Sequence, residues 1–323
     1  MINCAIIGLG RVASEFEKDT KREKPASHAG AIAEHSECRI VAGCDIDKEK
    51  CESFGDYWSC DNLYQDYEVM LSVQNIDILH IATPPDTHKQ MVVYAVEAGI
   101  PVIVLEKPVS DNIEEAQFLR EFIKGKKTKI IVNHERRYSL PYLRVKEVIK
   151  SKTYGSLLAI QAKLYIGRTQ KLPSMLYNDG THMVDLIHFL TDSRMNIETC
   201  FTSDDNNFIF ACGYSGKVPV VFEAARNRDY LVFELDLTFE SGRIVVGNGF
   251  YHEYQSKESP YYEQFRSLIE NDYSFEKTEY FKRMFDDAVK CFNKNDKLPV
   301  SSLSDGVDTL EVIEDILQYL NKE

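Results

Sequence analysis

The sequence predicts a doubly wound parallel α/β sheet, followed by an α+β domain with a large, mostly antiparallel open sheet. Short apolar runs alternate with helical patterns over about the first 135 residues, as in βαβ units. A glycine-rich turn joins the first run to the pattern that follows it. After about residue 150, β-like runs follow one another with only turn residues between them. We place the two domains at residues 1–125 and 126–323.

The apolar runs of the first part predict strands that are buried on both faces, because they are continuous rather than alternating. The helical patterns between them are clearest over residues 111–124, where apolar residues recur at helical spacing and Gly125 follows as a C-cap. The predicted strands cover residues 4–7, 39–44, 76–81, 101–105 and 129–132.

The second part of the chain predicts a sheet accompanied by three helices. Aromatic residues are frequent from Phe250 to Phe285. Core, interface and sugar platform are all open as their role, and of these we favour core. The predicted strands cover residues 157–166, 200–203, 208–214, 218–224, 231–239 and 243–246, and the helices 181–191, 277–293 and 304–321.

Composition excludes several classes of function. Lys and Arg total 38 against 51 Asp and Glu, a net charge of −13, which argues against nucleic-acid binding. No apolar run is long enough to span a bilayer, and no basic segment precedes the first strand, so we expect neither a membrane protein nor a secreted one. The eight cysteines are scattered without C-x-x-C spacing, which favours a reducing, cytoplasmic location and no zinc.

The glycine-rich turn has the G-x-G-x-x-A spacing of a dinucleotide-binding (Rossmann) fold, between a strand and a helical pattern. Gly8 permits the tight turn, Gly10 lets a pyrophosphate approach the backbone, and Ala13 lets helix and strand pack closely. Asp45 ends the next strand, where a carboxylate accepts hydrogen bonds from ribose hydroxyls and repels a 2′-phosphate. The sequence therefore predicts NAD as the cofactor, in preference to NADP.

Two further motifs follow strands of the same sheet, at the edge where open α/β sheets bind ligands. Thr83-Pro84-Pro85 follows one strand, and Glu106-Lys107-Pro108 follows the next. A Lys at a strand end has little structural purpose, so we assign Lys107 to the site. The predicted cofactor contacts are Gly8, Gly10, Arg11, Val12, Ala13, Asp45, Ile46, Ala82, Thr83, Pro84, His88, Glu106 and Lys107.

In the second part, Asn178 and Asp179 precede a helical pattern, where one of them would serve as N-cap. His182 falls in the first turn and suits general acid–base work near neutral pH, and Asp185 is spaced to orient its ring. His182, Asp185 and His188 also suggest a metal, but acid–base use needs fewer assumptions, so we predict none.

The charged segment at residues 15–27 interrupts the pattern after the glycine turn. It is too charged and contains a proline too early to continue an ordinary first helix. Two interpretations stay open: a flap over the cofactor, and a solvated surface insertion.

The motifs around Gly8, Lys107 and His182, in this order and spacing, resemble the Gfo/Idh/MocA (glucose-fructose oxidoreductase and inositol dehydrogenase) family along essentially the whole chain. The resemblance implies NAD(P)-dependent redox chemistry at a hydroxyl of a sugar, cyclitol or nucleotide sugar, and a sheet face that often builds a dimer or tetramer. It also implies that Lys107 contacts the reacting hydroxyl, that His182 exchanges its proton, and that Arg136 lies near the nicotinamide or the substrate. The stretch Asn133–Tyr138 supports it.

One departure from the family pattern concerns the second motif. Asn178 stands where the family often has an Asp, four residues before His182, and Asp179 is three before it. Asn178 is therefore assigned to substrate binding and Asp179 to catalysis, and which of the two acts stays open.

We interpret the chain as an NAD-dependent dehydrogenase or reductase of a small polyhydroxylated substrate, working as a homodimer or homotetramer. An alternative is a non-catalytic regulator that binds NAD and a sugar, but a regulator has no need of Lys107 and His182. A reductase of a tetrapyrrole or an aromatic diol would need a more apolar pocket than Arg136, Asn178 and Asp179 suggest.

Overall fold

The structure is a computed structural model and describes residues 1–167, 171–203, 207–275 and 277–320. The chain divides into two compact units. Unit one consists of Met1–Ser139 and Glu279–Val307, and unit two of Leu140–Thr278 and Asp308–Glu323. Among the described residues, no helix combines the length and the apolar character needed to cross a bilayer.

The elements of the first 139 residues alternate between strand and helix. They are β1 (Ile2–Ile7), α1 (His28–Glu34), β2 (Cys38–Cys44), α2 (Lys48–Trp58), β3 (Leu63–Tyr64), α3 (Tyr67–Val73), β4 (Ile78–Ile81), α4 (His88–Glu97), β5 (Val102–Leu105), α5 (Ile113–Phe122) and β6 (Lys129–Val132).

The remaining elements include most of the long strands. They are α6 (Leu140–Ser151), β7 (Leu157–Tyr165), α7 (Leu172–Met175), α8 (Thr181–Thr191), β8 (Met195–Thr202), β9 (Phe208–Ser215), β10 (Val218–Ala225), β11 (Val232–Phe239), β12 (Gly242–Gly247), β13 (Phe250–Glu258), β14 (Arg266–Asn271), α9 (Tyr280–Asn293) and α10 (Leu303–Leu320).

Unit one contains a six-stranded parallel sheet in the order β3-β2-β1-β4-β5-β6. Every residue of β4 and β5 is buried. Strands that are covered on both faces need apolar residues at nearly every position, which explains the continuous apolar runs. The order reverses at β1, so the chain is doubly wound and the switch point lies between β1 and β4. This sheet confirms the predicted fold class of the N-terminal half.

The units differ from the predicted division at residue 125 in two respects. β6 pairs with β5 along its whole length and therefore completes the first sheet. The late helix α9 also belongs to unit one, because Phe281, Met284 and Phe285 are buried in the same apolar cluster as β1 and α1. The apolar side of a helix predicts that it packs against something, but not which sheet covers it.

Unit two contains an eight-stranded sheet in the order β14-β13-β12-β11-β7-β10-β9-β8. β7 and β10 form its one parallel pair within the described residues, so the predicted mostly antiparallel sheet is confirmed. Ile160, Phe222 and Leu235 point to the buried face, where the core also includes residues of α8 and of α10. The terminal helix was predicted to end at residue 321, which lies outside the described residues.

The aromatic stretch that we interpreted as core is divided between different environments. Tyr251 packs at the margin of the core, and Phe281 and Phe285 of α9 are buried. In contrast, Tyr261, Tyr262 and Phe265 are 79%, 70% and 69% exposed between β13 and β14. The interpretation as core is therefore wrong for these three rings.

A buried carboxylate links α6 to β13 in unit two. Glu253 is 2% exposed and accepts hydrogen bonds from Arg144 Nη2 at 2.9 Å, from Tyr154 Oη at 2.6 Å, and from Tyr251 Oη. Burial works to raise the pKa of Glu253, but the hydrogen bonds from Arg144, Tyr154 and Tyr251 outweigh it, and the pKa falls below its ordinary value. The carboxylate is therefore ionised and paired in the folded chain.

We expect Arg144→Met to lower the free energy of unfolding by about 2 kcal/mol or more at neutral pH, because it leaves Glu253 buried without its cation. Since the folded-state pKa of Glu253 is lowered, this contribution exists above about pH 4.3 and disappears as the pH falls through the folded-state pKa. Urea titrations at several pH values test this, with Arg283→Met as control, whose pair with Glu279 is far more exposed. Equal effects of the two substitutions would contradict it.

Candidate active site

The carboxyl ends of the strands of unit one form a straight edge. Ile7 pairs with both Cys44 and Ile81, and the register continues through Leu105 to Val132. The residues that follow this row therefore lie side by side along the edge, which is where open α/β sheets bind their ligands. They are Asp45, Gly8, Ala82, Glu106 and Asn133.

The two glycines of the turn, Gly8 and Gly10, differ in the space around them. Gly8 has φ +84°, and a Cβ there would lie 2.7 Å from the carbonyl oxygen of Ala82. No other residue fits Gly8 without moving the end of β4. At Gly10, by contrast, a Cβ would meet no protein atom within 4 Å among the described residues. The backbone at Gly10 is thus open to a ligand, as close approach of a pyrophosphate requires.

Asp45 is fixed by the backbone on both sides of its carboxylate. Its Oδ2 accepts the amide of Leu9 at 2.8 Å, and its Oδ1 accepts the amide of Asp47 at 3.0 Å. Lys50 Nζ is 4.0 Å from Oδ2. The neighbouring Ile46 is 87% exposed beside it. The carboxylate therefore stands immediately next to the glycine turn, as a reader of the ribose requires.

The turn after β4 is held by a buried histidine. His88 Nε2 lies 3.0 Å from the carbonyl oxygen of Thr83, and Nδ1 lies 3.1 Å from that of Pro108. His88 is 0% exposed, so its ring ties two turns of the edge together and does not reach a cofactor. The prediction that His88 contacts the cofactor does not fit this position, whereas Thr83 and Pro84 are accessible at the edge.

Glu106 is the centre of a buried hydrogen-bond network. Its Oε1 lies 2.8 Å from His28 Nε2 and 2.5 Å from Asn133 Nδ2, and its Oε2 accepts the amide of Lys107 at 3.3 Å. Burial works to raise the pKa of Glu106, but the hydrogen bonds from His28 and Asn133 and the charge of Lys107 outweigh it, so that the pKa is lowered. Glu106 is an ionised carboxylate that is only 7% exposed.

Lys107 is half-buried next to a second acidic residue, Glu135, which follows β6. Burial raises the pKa of Glu135, although the charges of Arg136 and Lys107 oppose this. Within unit one, the structure therefore brings the predicted residues Lys107 and Arg136 into one electrostatic environment, with Glu106 and Glu135 as the acidic groups.

The charged segment is inserted into the first helix. The carbonyls of Val12 and Ala13 accept the amides of His28 and Ala29 at 3.1 and 2.9 Å, as the next turn of a helix would supply them. The chain leaves after Ala13 and returns at Ser27, whose Oγ donates to Glu17 Oε2 and accepts the amide of Gly30.

The insertion also contacts a residue of the glycine turn and the start of α9. Phe16 lies between two guanidinium groups, with Arg22 at 3.8 Å and the predicted contact Arg11 at 4.9 Å from its ring centre. Glu23 accepts the amide of Glu279 at 2.7 Å. The segment is thus tied into unit one by several hydrogen bonds, and whether it covers the cofactor stays a prediction.

In unit two, the second motif lies inside a continuous helical segment. α7 runs through a π-turn at Leu176–Gly180 directly into α8. Neither Asn178 nor Asp179 caps α8, because the helix has already begun before them, so the expected N-cap is wrong. Such π-turns are frequent at functional sites because they re-aim side chains.

The side chains of this segment differ in exposure. Asn178 is exposed and Asp179 is half-buried. His182 is 9% exposed in the first turn of α8, and Asp185 is fully buried one turn later. Lys107 belongs to unit one and His182 to unit two, so their meeting around one substrate stays a prediction.

Sequence reasoning missed three residues of the buried network, namely His28, His80 and Asn133. His28 is hidden by the insertion, which separates it from the glycine turn in the sequence. His80 did carry a signal, because it is a polar residue in the otherwise apolar strand β4. Asn133 lies in the stretch that was noted only for the resemblance.

Comparison with known proteins gives a family match in unit one. A model described as an oxidoreductase family with an NAD-binding Rossmann fold, Gfo/Idh/MocA, matches residues 2–134. Oxidoreductase P35 of Formosa agariphila is 30% identical over 171 residues, which are 53% of this chain and 50% of that protein. Inositol 2-dehydrogenase of Salmonella paratyphi B is 24% identical over 195 residues, or 58% and 54%. The chain thus spans about half the length of these curated relatives.

Among solved structures, a dehydrogenase from Chromobacterium violaceum superposes with a TM-score of 0.82 at 17% identity. The match covers 98% of this chain and 94% of that one, and at this identity it shows the fold alone. The predicted fold class is confirmed. The predicted resemblance is confirmed by the family model over residues 2–134, and this match and the curated relatives support an oxidoreductase.

Proposed function

We propose that this chain, whose residues 2–134 match the model of the Gfo/Idh/MocA oxidoreductase family, transfers a hydride between NAD(H) and a hydroxyl or carbonyl of a sugar, cyclitol or nucleotide sugar. The observation that carries the proposal is the edge of the parallel sheet, where Gly8, Asp45 and Lys107 follow neighbouring strands. A nucleotide site and a partly accessible cation adjoin there, as a redox site for an alcohol requires.

The residues present suit NAD. The open backbone at Gly10 suits a pyrophosphate, and the fixed carboxylate of Asp45 suits ribose hydroxyls while repelling a 2′-phosphate. Thr83 and Pro84 are accessible beside them, toward Lys107. When bound, NAD supplies the acceptor for the hydride, and the protein supplies position and electrostatic field.

Two side chains would do the protein's share of the chemistry. In the oxidative direction, His182 takes the proton of the substrate hydroxyl while the carbinol carbon gives up its hydride. The ammonium of Lys107 stabilises the negative charge that develops on the same oxygen. In the reductive direction, His182 returns the proton to the oxygen.

The neighbours of these two residues would orient the substrate. Arg136 and Asn178 supply hydrogen-bond donors to its hydroxyls. Asp179 supplies an acceptor and, as a half-buried carboxylate in the turn before His182, would keep the imidazole correctly oriented.

The proposal is tested by following NADH absorbance with NAD and a panel of cyclitols, free sugars and nucleotide sugars. We expect NADH to form with one class of compound, which would name the substrate class at once. A flat panel from protein that still binds NADH would count against the dehydrogenase and favour a regulator that binds the same ligands.

We expect Asp45→Ser to reduce the preference for NADH over NADPH by about tenfold or more, because the variant loses a charge-assisted bond to the ribose and the repulsion of a 2′-phosphate. The ratio of the two dissociation constants, measured by fluorescence titration, needs no substrate. Asp47→Ser is the control, since it removes a carboxylate two residues away that only caps α2. An unchanged ratio in Asp45→Ser would show that another group reads the ribose.

We also propose that the open face of the eight-stranded sheet joins copies of this chain into a dimer or tetramer. Phe201 and Tyr214 are 60% and 42% exposed on that face, and Phe210 and Val221 beside them are half-buried. Apolar side chains in such a row suit a self-complementary interface.

For that interface, we expect Val221→Glu to convert the assembly into monomers, because the carboxylate would be desolvated at the contact. Light scattering gives the mass, and Lys217→Glu in the neighbouring turn is the control. A wild-type chain that is monomeric at high concentration would contradict the interface.

We place the protein in the cytoplasm. The support is its cysteine chemistry, because all eight cysteines are free thiols and most are buried as small apolar side chains.

A further inference from the structure

Unit one contains a pair of buried histidines that the proposed reaction does not use. His28 begins α1 and His80 lies in the middle of β4, and both are 0% exposed. Their Nδ1 atoms are 3.0 Å apart, and His28 Nε2 is 2.8 Å from Glu106 Oε1. The rings of Phe281 and Phe285 pack against them at 5.5 Å. The pair is therefore a dry extension of the Glu106 network.

The hydrogen-bonding capacity of these groups fixes where the protons are. Glu106 is ionised and only accepts, so His28 Nε2 must carry a proton and donate it. In a neutral His28, Nδ1 is then an acceptor, and the proton between the rings belongs to His80 Nδ1. His80 Nε2 is left as a lone pair, and it has no partner among the described residues.

The opposite assignment is less favourable. If His28 carried protons on both nitrogens, His80 Nδ1 would have to accept, and the proton of His80 would move to Nε2. That N–H would be a buried donor with no acceptor among the described residues, which is costlier than a buried lone pair. His80 is neutral in both assignments, because burial lowers its pKa well below its ordinary value.

We propose that His28 and His80 are positioning residues that hold Glu106 as an oriented carboxylate beside Lys107. His28 donates to one oxygen of Glu106, and His80 fixes the tautomer that makes His28 a donor. The other oxygen of Glu106 accepts the backbone amide of Lys107, so its orientation helps to hold the backbone from which the lysine side chain projects. This inference rests on the proposed function for its consequence in turnover, but the proton positions stand independently of it.

The charged and titratable groups that act on Glu106 come from several elements. His28 faces it from α1, His80 of β4 acts through its contact with His28, and Lys107 follows it in the chain, while the charge of Glu106 acts on His88 of α4 and on Glu135 after β6. Glu135 repels the Glu106 carboxylate, and Lys107 offsets this. Removing the hydrogen bond from His28 therefore takes away an interaction that stabilises the ionised form of Glu106, and the pKa of Glu106 should rise.

The experiment uses amide replacements that copy one ring nitrogen each. Gln places its NH₂ where Nε2 lies, and Asn places it where Nδ1 lies. We expect His28→Gln to preserve the titration of Glu106, followed by ¹³C carboxyl NMR, whereas His28→Leu moves its midpoint up by about one pH unit or more. We expect His80→Asn to behave like wild type, and His80→Leu to resemble His28→Leu. His35→Leu is the control histidine, because it lies at the far end of α1.

Two further readouts separate this proposal from the proposed function. Long-range ¹⁵N–¹H NMR should show His28 protonated at Nε2 and His80 at Nδ1, and the opposite tautomers would overturn the proposal. With the panel compound that gives turnover, the acid limb of kcat should move with the Glu106 midpoint, and an unchanged limb in His28→Leu would also overturn it. A flat panel with the expected NMR result would refute the proposed reaction and leave the proton positions standing.

Discussion

Lys107→Met should lower turnover at least about a hundredfold while leaving the dissociation constant of NADH unchanged. The methionine keeps most of the side-chain volume but removes the cation. Because Lys107 lies two residues beyond the end of β5, in the register that Thr83 has beyond the end of β4, its loss acts at the reacting end of the site and not at the glycine turn. Single-turnover rates of NADH formation, measured beside a fluorescence titration of NADH, check both halves of this expectation.

A matched control and a charge-retaining variant sharpen the test of Lys107. Lys124→Met removes an exposed lysine that pairs only three residues away with Glu121, and should change neither rate nor binding. Lys107→Arg keeps the charge in a larger, planar group and should fall between wild type and Lys107→Met. Turnover of Lys107→Met close to that of wild type would remove Lys107 from the chemistry.

The parallel sheet of unit one could be predicted because the sequences of its strands show that both of its faces are covered. Runs such as Val102–Leu105 are apolar at every position, and only a strand covered on both faces needs that. What could not be predicted was the return of α9 to this unit. The spacing of Phe281 and Phe285 predicts an amphipathic helix. The residues against which they pack lie more than two hundred residues earlier, in α1 and β4, and periodicity gives no information about so distant a contact.

The candidate site shows the same limit at shorter range. Gly8 and Asp45 were predicted because their positions after the first two strands are those of a dinucleotide site, and Lys107 because a lysine at a strand end has little structural purpose. His28 was not found, because the insertion hides that its amide completes the turn begun at Val12. The helical register that brings His28 next to Val12 can be predicted only from consecutive residues. The insertion interrupts that run, so the sequence does not show the contact.

His182→Asn should lower turnover by about a hundredfold to ten-thousandfold, with NADH binding unchanged, because the hydroxyl proton then has no base of suitable pKa. The buried position in the first turn of α8 favours one fixed ring orientation, and Asn keeps polarity without titrating near neutral pH. The limb of the pH–rate profile that reports this base should disappear in the variant. Turnover within a few-fold of wild type would contradict the assignment.

A substitution of His188, the second histidine of α8, distinguishes two roles for His182, as an acid–base group or as a metal ligand. If His182, Asp185 and His188 held a metal together, His188→Asn would cost as much activity as His182→Asn, and added Zn²⁺ would change both. If His182 acts alone as the base, His188→Asn should keep most of its turnover.

Asp179→Asn then shows whether Asp179 or Asp185 orients the ring of His182. A large loss of turnover assigns this role to Asp179, and a small loss of turnover assigns it to Asp185, which is buried one turn beyond His182.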